Sequence, residues 1–123
     1  MNRPKLIIVD DEEDLLQLSG FILEEDFNII GTAKDGNEAI QLLKNIEDKP
    51  DIVLLDVLLP NKNGFEVCKW IKDNLPKIKV VLFTVKGSEE DITTGKNAGA
   101  DAHIVKPTAR REILQTIHKT LNE

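Results

Sequence analysis

Apolar positions in this chain follow two rhythms. The uninterrupted runs Leu6-Ile7-Ile8-Val9, Ile52-Val53-Leu54-Leu55, Val80-Val81-Leu82-Phe83 and Ile104-Val105 are rich in β-branched residues and read as strands buried on both faces. The pattern predicts strands near 5–9, 28–33, 51–56, 79–84 and 101–105, each followed by a segment of helical spacing. Repeated strand-then-helix units imply an α/β fold, a doubly wound five-stranded parallel sheet.

The helical segments differ in how much they offer a core. The first starts at Asp11 or Glu12, with Glu12, Glu13 and Asp14 where the helix dipole favours negative charge. Its apolar face is Leu15, Leu18, Ser19, Ile22 and Leu23, with Phe21 roughly opposite. The second, from Gly36-Asn37-Glu38, turns Ala39, Ile40, Leu42, Leu43 and Ile46 to the sheet. The third follows Asn63-Gly64, presents Cys68, Ile71 and Leu75, and stops before Pro76. The fifth is capped by Thr108 and buries Ile113, Leu114, Ile117 and Leu121. The fourth, near 88–97, has Ile92 as its one strongly apolar residue, besides two threonines and the interior Gly95, which alone costs about 1 kcal/mol. A mobile helix is expected there; a surface helix held by tertiary contacts fits the same window.

Composition narrows the setting. The 123 residues fit one domain over 1–123. The lone Cys68 excludes an internal disulfide, and no secretory signal is visible, so a cytoplasmic location is expected. No apolar run approaches the ~20 residues of a membrane span, and no helix has a basic face for a lipid surface. A net charge of −6 argues against direct contact with nucleic acid. Lys106, Arg110, Arg111 and Lys119 read as a solvated helix face.

Each strand run ends on a reactive residue: Asp10-Asp11, Asp56, Thr84 and Lys106. In an open parallel sheet, ligands bind beyond the carboxyl ends of the strands, so these residues should meet. Three carboxylates in one place repel unless a cation sits among them. Oxygen donors alone favour Mg2+, and with no histidine beside the acids a zinc site does not fit. Asp10-Asp11 also suit a helix N-cap, a role that leaves Asp56 unexplained. Thr84 and Lys106 are suitable donors to phosphoryl oxygens, which makes Asp56 a nucleophile able to form an acyl phosphate. Lys106 is equally suited to pair with Asp56 before modification.

With Ile8-Val9-Asp10-Asp11-Glu12, Leu54-Leu55-Asp56-Val57-Leu58-Leu59-Pro60, Asn63-Gly64-Phe65, Phe83-Thr84-Val85-Lys86-Gly87 and Gly99-Ala100-Asp101 before Ile104-Val105-Lys106-Pro107, the chain resembles the receiver domain of two-component response regulators along nearly its whole length. The resemblance implies a flavodoxin-like sheet of order 2-1-3-4-5. It also implies a signalling phosphoacceptor that catalyses only its own phosphoryl transfer and slow autodephosphorylation. Asp56 would take phosphate from a histidine kinase or histidine phosphotransfer protein. Asp10, Asp11, Asp56 and the backbone carbonyl of Leu58 would bind Mg2+, and Thr84 and Lys106 the phosphoryl oxygens. A cis peptide is implied at Lys106-Pro107. His103 stands where the family has a rotating aromatic that reports phosphorylation, a switch role set against that of a plain edge-strand histidine. The fourth helix, fifth strand and fifth helix would signal to a downstream effector domain or protein.

Several residues depart from the family pattern. Leu58 and Val85 are apolar or bulky beside the phosphate, and Lys86 adds charge at the same entry, so slow loss of phosphate is expected. Leu15 and Leu18 match positions that often meet the phosphodonor, although core packing explains them as well. Ala102 follows Asp101 where a second acid is common, so a monomer or weak dimer is expected. Two other readings stay open: an aspartate-nucleophile phosphatase, which needs a second acid where Leu58 stands, and a phosphorylation-silent interaction module. A nucleotide binder is disfavoured, for there is no G-x-G-x-x-G and no complete P-loop.

Overall fold

The computed structural model describes residues 3–123. Of the domain expected over 1–123, Met1 and Asn2 lie outside the described residues. The elements run β1 (Lys5–Val9), α1 (Glu13–Leu23), β2 (Asn28–Ala33), α2 (Gly36–Asn45), β3 (Ile52–Leu55), α3 (Gly64–Asn74), β4 (Lys79–Thr84), α4 (Glu89–Asn97), β5 (Ala102–Val105) and α5 (Arg110–Leu121). All strand pairs are parallel and the order is β2-β1-β3-β4-β5, which is the flavodoxin-like arrangement. The β1–β2 register slips once: Leu6 pairs with Ile29 and Ile7 with Gly31, which leaves Ile30 as the extra residue.

Alternation along the strands divides the core into two layers. Ile7, Val9, Val53, Leu55, Val80 and Leu82 face Ala39 and Leu43 of α2 and Val67, Cys68 and Ile71 of α3. Leu6, Ile8, Ile52, Leu54, Val81 and Ile104 face Leu16 and Leu23 of α1 and Ile113 and Ile117 of α5. With both faces covered, the functional end of the sheet is the rim where the strands stop.

Helix starts depend on local hydrogen bonds that the apolar pattern does not encode. Asp35 and Asn63 cap α2 and α3 by accepting from Glu38 N–H and Glu66 N–H at 2.8 and 3.0 Å. Ser88 and Asp91 close a reciprocal capping box on α4. Thr108 does not cap α5: its hydroxyl donates back to the Val105 carbonyl, and Ala109 occupies the cap without a side-chain bond. In α1 the stripe on the sheet is Leu16 and Leu23, whereas Leu18, expected on the apolar face, is 53% exposed. Leu15, Leu18, Ser19 and Ile22 are rotated to the flank and line a groove against α5. Phe21 projects into solvent.

Candidate functional site

Three rim residues are held by one ladder hydrogen bond beyond their strands. Asp10 N–H donates to the Ala33 carbonyl at 3.0 Å, Asp56 N–H to Val9 at 2.9 Å and Lys106 N–H to Thr84 at 2.8 Å. The sheet therefore fixes the backbones of both buried acids and the lysine, which share one corner although far apart in sequence. The Lys106-Pro107 peptide is cis.

Asp10, Asp11 and Asp56 each bring a carboxylate oxygen to within 4.8 Å of the others. Asp10 and Asp56 are buried and Asp11 is exposed. Lys106 Nζ lies 2.7 Å from Asp10 Oδ2 and 3.4 Å from Asp56 Oδ2, so its nearer partner is Asp10. Burial by itself disfavours the charged lysine. The hydrogen bond to Asp10 and the charges of Asp56 and Asp10 outweigh that penalty and hold its pKa above the ordinary lysine value. The ammonium also lies 5.0 Å from the centre of the Phe83 ring.

Backbone donors finish the pocket, and these were not legible as side-chain motifs. Asp56 Oδ1 accepts from Leu58 N–H at 3.2 Å and Asp10 Oδ1 from Glu12 N–H at 3.1 Å. The Leu58 side chain stays half exposed. Gly64 brings α3 against the loop after Asp56: a Cβ there would lie 2.1 Å from the Asp56 carbonyl oxygen, so only glycine fits. Its N–H donates to the Val57 carbonyl at 2.8 Å. Thr84 is fully buried, and its hydroxyl oxygen accepts from Lys86 N–H at 3.2 Å. His103 is not part of the acid cluster; its ring reaches the Lys86 carbonyl from the edge strand β5. Cys68 is buried on α3, and burial pushes its thiol up to about 12, which leaves it protonated and unfit as a metal ligand.

The donor set, all oxygen and strongly anionic with one ammonium nearby, suits a hard divalent cation next to a phosphoryl group. A buried aspartate at a strand end, an adjacent lysine and a metal-binding acid cluster on a doubly wound sheet define a phosphoacceptor of the signalling class. The chain belongs to the response regulator receiver domain family, whose model matches residues 6–118. It is a phosphoaccepting, magnesium-binding signalling domain and acts on itself, not as an enzyme on a separate substrate.

Solved structures agree across the chain. The CheY-like receiver domain protein of Methanospirillum hungatei is 30% identical, with TM-score 0.89 over 98% of this chain and 95% of that one. The CheX-CheY-BeF3-Mg complex of Borrelia burgdorferi matches at 33% identity and TM-score 0.86, covering 96% and 89%. DrrB of Thermotoga maritima, an OmpR/PhoB homolog, matches at 30% and 0.85, covering 99% of this chain but 54% of that one. Membership implies interaction with histidine kinases or phosphotransfer proteins. Among the described residues no helix is long and apolar enough to cross a membrane.

Proposed function

We propose that residues 1–123 act as one receiver domain in which Asp56 takes a phosphoryl group from a phosphohistidine. The observation that carries this reading is the Lys106 ammonium shared between Asp10 and Asp56 at the edge of the three-acid cluster. Asp10, Asp11, Asp56 and the Leu58 carbonyl would hold the magnesium ion. When bound, that ion supplies charge neutralisation to the clustered carboxylates and to the phosphoryl oxygens.

An Asp56 carboxylate oxygen forms the new O–P bond as the P–N bond of the donor breaks; the bonding pair returns to the ring nitrogen, and the histidine, protonated on its other ring nitrogen, leaves as a neutral imidazole. Lys106 keeps its proton throughout and turns from carboxylate to phosphoryl oxygen. The Thr84 hydroxyl already accepts from Lys86 N–H, so its own proton is free to be donated to the same group. His103 reports that movement on the α4-β5-α5 surface, which an effector domain or protein reads.

The donor's docking place is the groove of about 260 Å³ between α1 and α5, walled by Leu15, Leu18, Ile22 and Phe83 and opening beside Lys106. Its apolar walls suit a helix of a kinase or phosphotransfer bundle. Nucleic acid is not a partner of so acidic a domain. The chain works as a monomer or weak dimer, since the Asp101 carboxylate is spent internally on Lys72 and on Val80 N–H at 2.7 and 2.8 Å. Phosphate leaves slowly, because Leu58 and Val85, which follow Asp56 and Thr84 in sequence, are exposed apolar side chains that cannot orient a water. The same leucine speaks against a phosphatase, as does the absence of any further acid in the cluster among the described residues.

Incubation with magnesium and acetyl phosphate should add one phosphate by intact mass, and Asp56→Ala should abolish it. Leu58→Asn should speed its loss several-fold. No gain in the wild type would make the chain a silent interaction module, and donor turnover without retained phosphate would make it a phosphatase.

A further inference from the structure

The Lys86 peptide group is bonded on both sides. Its N–H donates to Thr84 Oγ1 at 3.2 Å, and its carbonyl meets His103 Nε2 at 2.8 Å. A carbonyl only accepts, so Nε2 carries a proton in this arrangement. The other ring nitrogen, Nδ1, is buried and has no hydrogen-bond partner. It lies against α4 at Gly95, where a Cβ would come within 3.3 Å of Nδ1 and 2.8 Å of Leu82 Cδ1. The missing side chain of Gly95 is what gives the ring its seat.

We propose that His103 is a proton-sensitive latch: singly protonated, it ties the β4–α4 loop and α4 to β5, and a second proton releases them. A doubly protonated ring would bury a charged N–H at Nδ1 with nothing to accept it, and a buried charged donor without a partner is strongly disfavoured. Rotation out of the seat returns that nitrogen to water. Of the charged groups, Asp91 on α4 is near enough to attract a charged imidazole, and the Lys86 ammonium on the loop is also near Asp91. The Asp91 carboxylate is already engaged with Ser88 in the helix cap. Leu82 of β4 and Phe65 of α3, the other groups packed around Gly95, are uncharged. Just before β5, Asp101 is committed to Lys72.

The latch's consequence for signalling rests on the role proposed above for Thr84: acid would uncouple that hydroxyl from α4. The latch itself is a property of the unphosphorylated chain and is tested there.

The measurement is an NMR titration of the full chain, without phosphodonor, from about pH 8 to pH 5. At the alkaline end the His103 ring should be the Nε2–H tautomer. On acidification the ring and the Lys86 and Gly95 amides should move together through one midpoint. His103→Phe should remove that midpoint from both amides, and His118→Gln should leave it in place. An Nδ1–H tautomer, unmoved amides, or the same movement in His103→Phe would overturn the proposal. A latch that titrates in a chain whose Asp56 takes no phosphate would overturn the phosphoacceptor reading instead.

Discussion

Helices α3 and α4 begin alike and are held very differently. Asn63 caps α3 and Ser88 caps α4, each accepting from a backbone N–H three residues on. Beyond that turn α3 buries Gly64, Val67, Cys68 and Ile71, whereas α4 buries Gly95 alone. Lys72 adds a second fastening to α3, reaching the Ile78 carbonyl at 2.8 Å and Asp101 at 2.7 Å. Capping decides where a helix starts; apolar burial decides how firmly it stays. The anchored helix carries the loop that holds Asp56, and the lightly held one belongs to the surface proposed above to pass the signal on.

The sharpest break of this contrast is a pair of truncations read by urea unfolding. Ile71→Ala, at a fully buried position, should cost ~2–5 kcal/mol, while Ile92→Ala on half-buried α4 should cost under ~1 kcal/mol. Equal losses would mean that α4 is as much a part of the core as α3.

A second effect, spread over a pH window, comes from the Cys68 thiol. Its pKa is raised by burial from 9.0 to about 12, so the folded chain holds a proton that the unfolded chain gives up. This contribution is complete below pH 9.0 and falls as pH rises toward about 12, with a slope of up to ~1.4 kcal/mol per pH unit. The difference between wild type and Cys68→Ala across that window isolates it; parallel curves would mean that α3 opens to solvent without global unfolding.

The smallest effect should be local. Ser88→Ala removes the cap of α4 and costs ~1 kcal/mol of helix stability. Amide exchange in α4 should quicken while the global unfolding midpoint barely moves. A full shift of the midpoint would erase the distinction between the two helices.

Parts of this contrast were readable in the residues. The single strongly apolar side chain and the interior glycine of 88–97 marked α4 as weakly anchored, because burial needs apolar groups to bury. Its capping box was missed, since Ser88 and Asp91 looked like ordinary polar residues until their spacing met a helix start. Thr108 failed in the opposite sense: a hydroxyl before a helix can accept from a helix N–H or donate to a carbonyl behind it, and here the Val105 carbonyl at the end of β5 captured it. In α1, Leu15, Leu18 and Ile22 looked like core because spacing specifies a face but not its rotation. Packing turned Leu16 to the sheet and left Leu15 and Leu18 on the groove, while Ile22 lines the groove and also packs against the inner cluster.

The sequence alone determined the strand-helix alternation, the parallel sheet and the reactive residue at each strand end, because periodicity and strand length are local properties of the chain. Tertiary structure decided what those residues touch. Only the crossing of distant segments places Lys106 nearer Asp10 than Asp56, joins Thr84 to His103 through the Lys86 peptide, and seats that ring on Gly95. Such contacts join segments far apart in the chain, and their geometry is set by how the layers pack, a quantity no single stretch of sequence contains.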